Sequence, residues 1–405
     1  MEKAFHALIL EGSLNASLAV VRSLGKMGAI ITVGDHHRIS PALLSRYVTK
    51  RIRYPNPEED LNLFLQFLSD HLKQKRYDLI FPMSDFTVLP IARNLDRFKG
   101  HAKFALAPLE QIEKVQDKVL TIAIARSCGV LFPHTVIPDS IDEIERVANN
   151  IEYPVIVKPR SKVSWVGSRP CVNKVTARNF VSSPDELVTI YRDIHNTSPL
   201  PMIQEIIDGA GYGFFALMVQ GEPKAVFGHR RIREYPISGG TSSCRESYLD
   251  SELENSGLKI LKALKWDGVA MVEFKLDRKD NRYKLMEING RWWGSLPLAL
   301  AAGADFPSLY SRYLLGDNID NTSFSFQKGI RCRALLPFDL LWLMERLRRP
   351  GRLSALREFF RPDGFRFDVL SLSDPLPTLG SCALMLSYFR DVLAGNLTMT
   401  GEKRS

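Results

Sequence analysis

The chain has 405 residues, 45% of them hydrophobic and 24% charged, with a net charge of +9. That length suits two or three domains of about 100–200 residues each, and the balance is that of a soluble globular protein. The positive surplus fits an anionic partner or substrate, but no run of five basic residues and no nucleic-acid motif is present, so no nucleic-acid partner is expected.

The five cysteines, Cys128, Cys171, Cys244, Cys332 and Cys382, are scattered without a C-x-x-C pair or a Cys/His cluster. That argues against zinc and against a disulfide framework. It fits a reducing compartment. "MEKAFHALIL" lacks the h-region and cleavage site of a signal peptide. No apolar run reaches the roughly 18 residues of a spanning helix. A cytoplasmic location is expected.

Residues 4–10, "AFHALIL", predict a buried strand. Residues 11–17 form a loop, 18–28 a helix and 29–35 a second strand. This order predicts a doubly wound parallel α/β unit. Its loop lacks G-x-G-x-x-G, which counts against a dinucleotide-dependent dehydrogenase. A helix over 61–75 and a strand over 77–85 continue the unit, which ends near residue 115.

Residues 117–128 predict a helix that carries Lys118. "YPVIVKPR" (153–160) is a β-rich run ending in Lys158, and a lysine there can reach a phosphate as a point charge. The segment 161–170, "SKVSWVGSRP", predicts a loop. Its Ser161, Ser164, Gly167 and Ser168 are small enough to let backbone N–H groups approach phosphate. Read singly, each lysine is equally a solvated surface charge. "SSPDELVTIYRDI" (182–194) opens with caps into a helix. "MIQEII" then leads into a glycine-rich turn, "DGAGYG", whose peptide groups could meet a purine edge; the bland reading is an ordinary strand and turn.

"VAMVEFKLDRKDNRYKLMEING" (269–290) predicts a β-hairpin. With its turn centred at Asp280, Glu273 faces Glu287 and Met271 faces Asn289. Residues two apart share a strand face, so Glu287, Asn289 and Arg291 point one way. Paired like charges repel. A divalent cation removes that objection, and two carboxylates with an amide suit Mg²⁺, with Mn²⁺ as the alternative. A solvated hairpin with two exposed acids is the competing reading. Trp292 and Trp293 follow at once, either as core residues or as a surface on which a ring or sugar could stack. Beyond residue 330 the texture turns helical. Leu340, Leu343, Met344 and Leu347 fall at helical spacing beside Arg346, Arg348, Arg349 and Arg352.

In this order Lys118, Lys158 in "VIVKP", "QEIIDG", "VEF" and "MEINGRWWGS" resemble the ATP-grasp superfamily. The similarity runs over about 115–315 and is strongest to the carbamoyl-phosphate-synthase-like carboxylate–amine ligases. It implies an N-terminal doubly wound parallel α/β domain (1–115), an ATP-grasp fold of two α+β subdomains (116–208 and 209–330) and a mostly helical C-terminal extension (331–405). It implies ATP as cosubstrate, held by Lys118, Lys158, Ser164 and Gly167. Glu205 and the backbone near Ile207 correspond to the adenine hinge. Glu273, Glu287 and Asn289 correspond to magnesium ligands, and Arg291 to the arginine at the acceptor site. His229, Arg230 and Arg231 in "GHRRIRE" correspond to a basic strand lining the phosphates; Arg231 is the catalytic candidate beside Arg291, and which of Arg230 and Arg231 faces the phosphates stays open. The segment 161–170 departs from its relatives in having one glycine and a bulky Trp165.

The leading expectation is a ligase that activates a carboxylate as an acyl phosphate for attack by an amine, both small molecules. Bicarbonate-dependent carboxylation is the second reading, and a nucleotide-binding protein without turnover the third. The net charge and the basic 346–352 segment add a weak peripheral contact with anionic membrane. The oligomeric state stays open.

Overall fold

A computed structural model describes residues 4–395, apart from 167–168, 174, 197–198, 238, 321–323 and 363; for 164–166 and 169–171 it describes the backbone alone. The first unit is a five-stranded parallel sheet of β1 (His6–Ile9), β2 (Ile30–Asp35), β3 (Val48–Arg53), β4 (Leu79–Phe81) and β5 (Lys103–Phe104), in the order β3-β2-β1-β4-β5. Its central strands are continuous apolar runs because helices cover both faces. Those helices include α1 (Asn15–Lys26), α2 (Leu61–Gln74) and α3 (Asp85–Arg93). Helix α1 starts earlier than its hydrophobic pattern predicts. The Ser17 hydroxyl donates to the Leu10 and Glu11 carbonyls, so a polar opening reads as loop while folding as helix.

Two short helices, α4 (Leu109–Gln116) and α5 (Lys118–Ser127), lead to a four-stranded antiparallel sheet. It contains β6 (Thr135–Val136), β7 (Val155–Lys158), β10 (Phe180–Val181) and β11 (Met202–Glu205), ordered β10-β7-β11-β6 and backed by α6 (Ile144–Ala148) and α7 (Pro184–His195). Between β7 and β10 the segment expected as a loop is instead a two-stranded hairpin, β8 (Val163–Val166) and β9 (Arg169–Val172). The β-favouring Val163, Trp165, Val166 and Val172 explain the difference.

The largest sheet has seven strands, ordered β16-β15-β12-β13-β14-β17-β18. They are β12 (Gly209–Val219), β13 (Glu222–Tyr235), β14 (Thr241–Ser247), β15 (Gly268–Asp277), β16 (Tyr283–Asn289), β17 (Arg331–Arg333) and β18 (Arg366–Phe367). One face packs on α8 (Ser251–Ala263). The other packs on the first unit through Phe215, Phe227, Met271, Trp292 and Trp293, together with α9 (Leu296–Ala301) and α10 (Phe306–Leu315). Both tryptophans are core residues: each is 1% exposed, among Phe81, Phe215, Phe306 and Tyr310. That removes them as a ligand platform. The glycine-rich "turn" at 209–213 is also different, because those residues open strand β12.

The tail supplies α11 (Leu340–Leu347), α12 (Arg352–Phe360) and α13 (Pro377–Leu393), and the last two strands at one end of the large sheet, β17 and β18. Asp339, fully buried, accepts from Arg233 Nε at 2.8 Å and Arg333 Nε at 2.6 Å. Buried Arg245 pairs with buried Asp368. The fold class is therefore the expected one: a parallel α/β unit, then mixed α+β sheets, then a mostly helical C-terminus.

Candidate active site

The β15–β16 hairpin pairs Glu273 with Glu287 and Met271 with Asn289. The pairing is not symmetric about Asp280, since Phe274 pairs with Leu285 and Met286 is an extra bulged residue. The bulge restores at the acids the register that a simple turn would give.

The two acids have separate counter-charges. Arg231 of β13 pairs with Glu273 across the intervening strand β12. It can lie there because Gly211 has no side chain: a Cβ at that position would sit 2.7 Å from Arg231 Cδ. Lys162, just before β8, donates to Glu287 Oε1 at 2.6 Å and to Asn289 Oδ1 at 2.9 Å. Asn289 Nδ2 donates to Glu273 Oε1 at 2.8 Å and to Glu287 Oε1 at 3.2 Å, tying the pair together.

The environments push the two carboxyl groups apart. Burial raises Glu273, and the neighbouring Glu287 adds to that against the opposition of Arg231. Burial also acts on Glu287, but Lys162 and Lys118 outweigh it and hold Glu287 well below the usual carboxylate range.

Arg291 reaches the same cluster. Its Nη2 donates to Asn289 Oδ1 at 3.1 Å, and its Nε donates to Asp85 Oδ2 at 2.9 Å. Asp85 opens helix α3 of the first unit and also accepts from Gln116 Nε2 at 2.9 Å. The start of α3 is fixed by Glu11, whose carboxylate accepts from Thr87 Oγ1 at 2.6 Å and from the Ser84 N–H at 2.9 Å.

Lys118 and Lys158 border the acids, and both feel the charge of Glu287. Lys158 Nζ donates to Gln204 Oε1 at 2.7 Å. Burial lowers its ammonium to about 8, and burial lowers Lys118 as well. At the end of β11, Glu205 accepts the His134 N–H at 2.8 Å, and the Ile207 carbonyl accepts from Lys275 Nζ at 3.1 Å. Ser164 lies in β8 opposite Cys171. Gly167 and Ser168 fall outside the described residues. Arg230 points away from the acids, pairing with Glu246 and lying over Tyr248. His229 is buried against Phe215, and burial with its arginine neighbours keeps it neutral.

Sequence reasoning missed two residues, Lys162 and Asp85. Lys162 sits unremarked in the 161–170 segment and Asp85 lies in no motif, and both reach the cluster only through tertiary contact. The donor set fits a divalent metal. It comprises hard oxygens from two carboxylates and an amide, and an ammonium already bridges one carboxylate and the amide oxygen. Five cationic side chains surround these oxygens: Lys118, Lys158, Lys162, Arg231 and Arg291. Such a site suits a metal-bound polyphosphate.

Comparison with known proteins shows what the chain is similar to. Residues 216–336 match the family described as ATP-grasp in the biosynthetic pathway with Ter operon. Solved structures match over most of the chain. Biotin carboxylase from Campylobacter jejuni, solved as a β,γ-ATP complex, is 15% identical with a TM-score of 0.64, over 80% of this chain and 74% of that one. N5-carboxyaminoimidazole synthetase from Staphylococcus aureus is 15% identical with a TM-score of 0.62, over 86% and 88%. The L-amino acid ligase from Bacillus licheniformis is 16% identical with a TM-score of 0.56, over 78% and 75%. The fold of this chain is ATP-grasp, as the resemblance in its sequence implied.

Proposed function

We propose that the chain is an ATP-dependent carboxylate–amine ligase. The observation that carries this reading is the Glu273–Glu287–Asn289 cluster, with Arg291 bound to its amide and lysines on its flank. A carboxylate oxygen of the substrate attacks the γ-phosphorus, and ADP leaves. The amine then adds to the acyl-phosphate carbonyl, loses a proton and expels phosphate.

Glu273, Glu287 and Asn289 would hold Mg²⁺, or Mn²⁺ in its place. A metal bound there neutralises phosphate charge and orients the transferred group. Lys118 and Lys158 hold the phosphates as point charges. The small residues Ser164 and Gly167 are assigned to the phosphates as well. Glu205 and the Ile207 backbone meet the base. Arg291 holds the acceptor carboxylate, and Arg231 opposes the rise that burial imposes on Glu273. Catalysis in this account is positioning and charge neutralisation in a site shielded from water.

Bicarbonate-dependent chemistry is the second reading, favoured by the likeness to a biotin carboxylase and a carboxyaminoimidazole synthetase. A screen for ADP release over carboxylic acids crossed with amines, with and without bicarbonate, separates the two. Release that needs an acid and an amine supports the ligase, and release that needs bicarbonate supports the alternative. No ADP release with any pair would leave a nucleotide-binding protein without turnover.

A further inference from the structure

We propose that Lys162 is an internal counter-ion that competes with the divalent cation for Glu287 and Asn289, then turns to the nucleotide phosphates when the cation enters. The proposal rests on the metal reading given above.

The first argument is the identity of the atoms. Lys162 Nζ sits on Glu287 Oε1 and Asn289 Oδ1, oxygens that the metal would need. An ammonium and a metal ion cannot share them at contact distance, and their like charges repel. Lys162 forms an ion pair with Glu287 at 2.6 Å. It therefore does in the free protein what the cation would do in the loaded one.

The second argument is where Lys162 is mounted. It precedes β8, and β8 pairs with β9 in a sheet of two strands only. At the base of this hairpin the Lys162 carbonyl accepts the Asn173 N–H at 2.8 Å. A lysine stem has four carbons and free rotors. Displaced from Glu287, its ammonium remains in the space bordered by Lys118 and Lys158. The anion to be expected there is phosphate. The segment 161–170 has a single glycine, so a side-chain ammonium supplies charge that backbone N–H groups of a glycine-rich loop would otherwise give.

Mn²⁺ binding to the nucleotide-free protein tests this by electron paramagnetic resonance, and Mn²⁺–ADP binding by calorimetry. Lys162→Gln is expected to bind Mn²⁺ about tenfold more tightly without nucleotide, as when nine-tenths of the sites were occupied by the ammonium. The same variant is expected to bind Mn²⁺–ADP more weakly, and Lys162→Arg to resemble the parent in both. Lys158→Gln removes an equal charge nearby without freeing those oxygens. An equal gain in Mn²⁺ affinity from Lys158→Gln would reduce the effect to general electrostatics and overturn the proposal. Unchanged or weaker Mn²⁺ binding by Lys162→Gln would overturn it too, and if Glu287→Gln abolishes Mn²⁺ binding at the same time, the metal reading stands alone. Mn²⁺ binding that survives Glu287→Gln would overturn both.

Discussion

Arg291 Nε donates to Asp85 Oδ2 at 2.9 Å across 206 residues of sequence. This contact links the first unit to the hairpin that carries the acids. Burial alone would raise Asp85, but Arg291 and Lys162 outweigh it and keep the carboxyl below its ordinary range. Asp85 thus positions Arg291 without lying among the candidate metal ligands. Asp85→Asn should leave the fold intact and lower kcat/KM by about tenfold to a hundredfold, the scale of one buried charged hydrogen bond. Kinetics with each substrate varied should show the loss on the acceptor side, with KM for ATP little changed.

Glu273→Gln and Glu287→Gln should each abolish ATP turnover. A loss of about a hundredfold or more is the scale of removing a preorganised charge from a shielded site. Circular dichroism should stay unchanged. Near-normal turnover with unchanged magnesium dependence in either variant would remove the metal assignment.

Lys158 should give nucleotide binding a pH dependence. Its ammonium titrates at about 8 in the free protein, and only the charged form attracts phosphate. Above pH 8 binding must take up a proton, so the Kd for ATP should rise toward tenfold per pH unit. Lys118, lowered in the same direction, adds to the slope. The unfolded chain keeps the Lys158 proton up to its ordinary value of 10.5. The penalty for burying this charge therefore fades between about 8 and 10.5, and its contribution to stability improves while ATP affinity falls. Lys158→Ala should weaken ATP far more than AMP and flatten the slope in calorimetry at pH 7 and 9.5. Equal losses for the two nucleotides would mark the lysine as structural.

Asp339 holds Arg233 and Arg333 in a fully buried cluster. Asp339→Asn takes the shared carboxylate from both guanidinium groups, leaving Arg233 the Glu358 carboxylate at 3.6 Å, and should cost about 3–5 kcal/mol, read as a lower urea midpoint. Replacing all three residues by apolar side chains of similar volume should recover most of that loss.

A weak lipid contact at the C-terminal helices is the last expectation. Leu341, Trp342 and Leu343 are buried in a local core, so α11 is a packed helix. Leu353 and Phe360 of α12, however, are 73% and 71% exposed, beside Arg352 and close to Arg346, Arg348 and Arg349. Co-sedimentation with anionic vesicles at low salt should be detectable, at about 1 kcal/mol per basic residue near the surface. Changing the four arginines to Gln should release the protein. No co-sedimentation, or none that responds to salt, would leave α12 as an ordinary surface helix.

Local chemistry made some of this legible in the sequence. The alternation in 269–290 predicts the hairpin and the facing acids, and "PVIVK" predicts a strand ending in Lys158. Patterns failed where the decisive contact is distant. Asp85 is one acid among many until α3 is docked, and Lys162 looks like a loop cation until its side chain reaches β16. The glycines at 209, 211 and 213 read as a turn because a strand seldom needs them. Here Gly211 clears a lane for Arg231, a requirement set by a neighbouring strand. Trp292 and Trp293 follow the motif directly, yet their neighbours come from the first unit and α10.

Arg22 of helix α1 bonds the side chain of Asp374 and the carbonyls of Asp368 and Val369, up to 352 residues later. At a ribosome moving about 5–20 residues per second, that partner arrives about 20–70 s after the arginine. Asn15 waits for Asp368 in the same way. The nascent chain must therefore keep the apolar flank of α1 out of wrong company during that interval. A stalled or truncated transcript would yield a product whose opening helix never meets its closing partners.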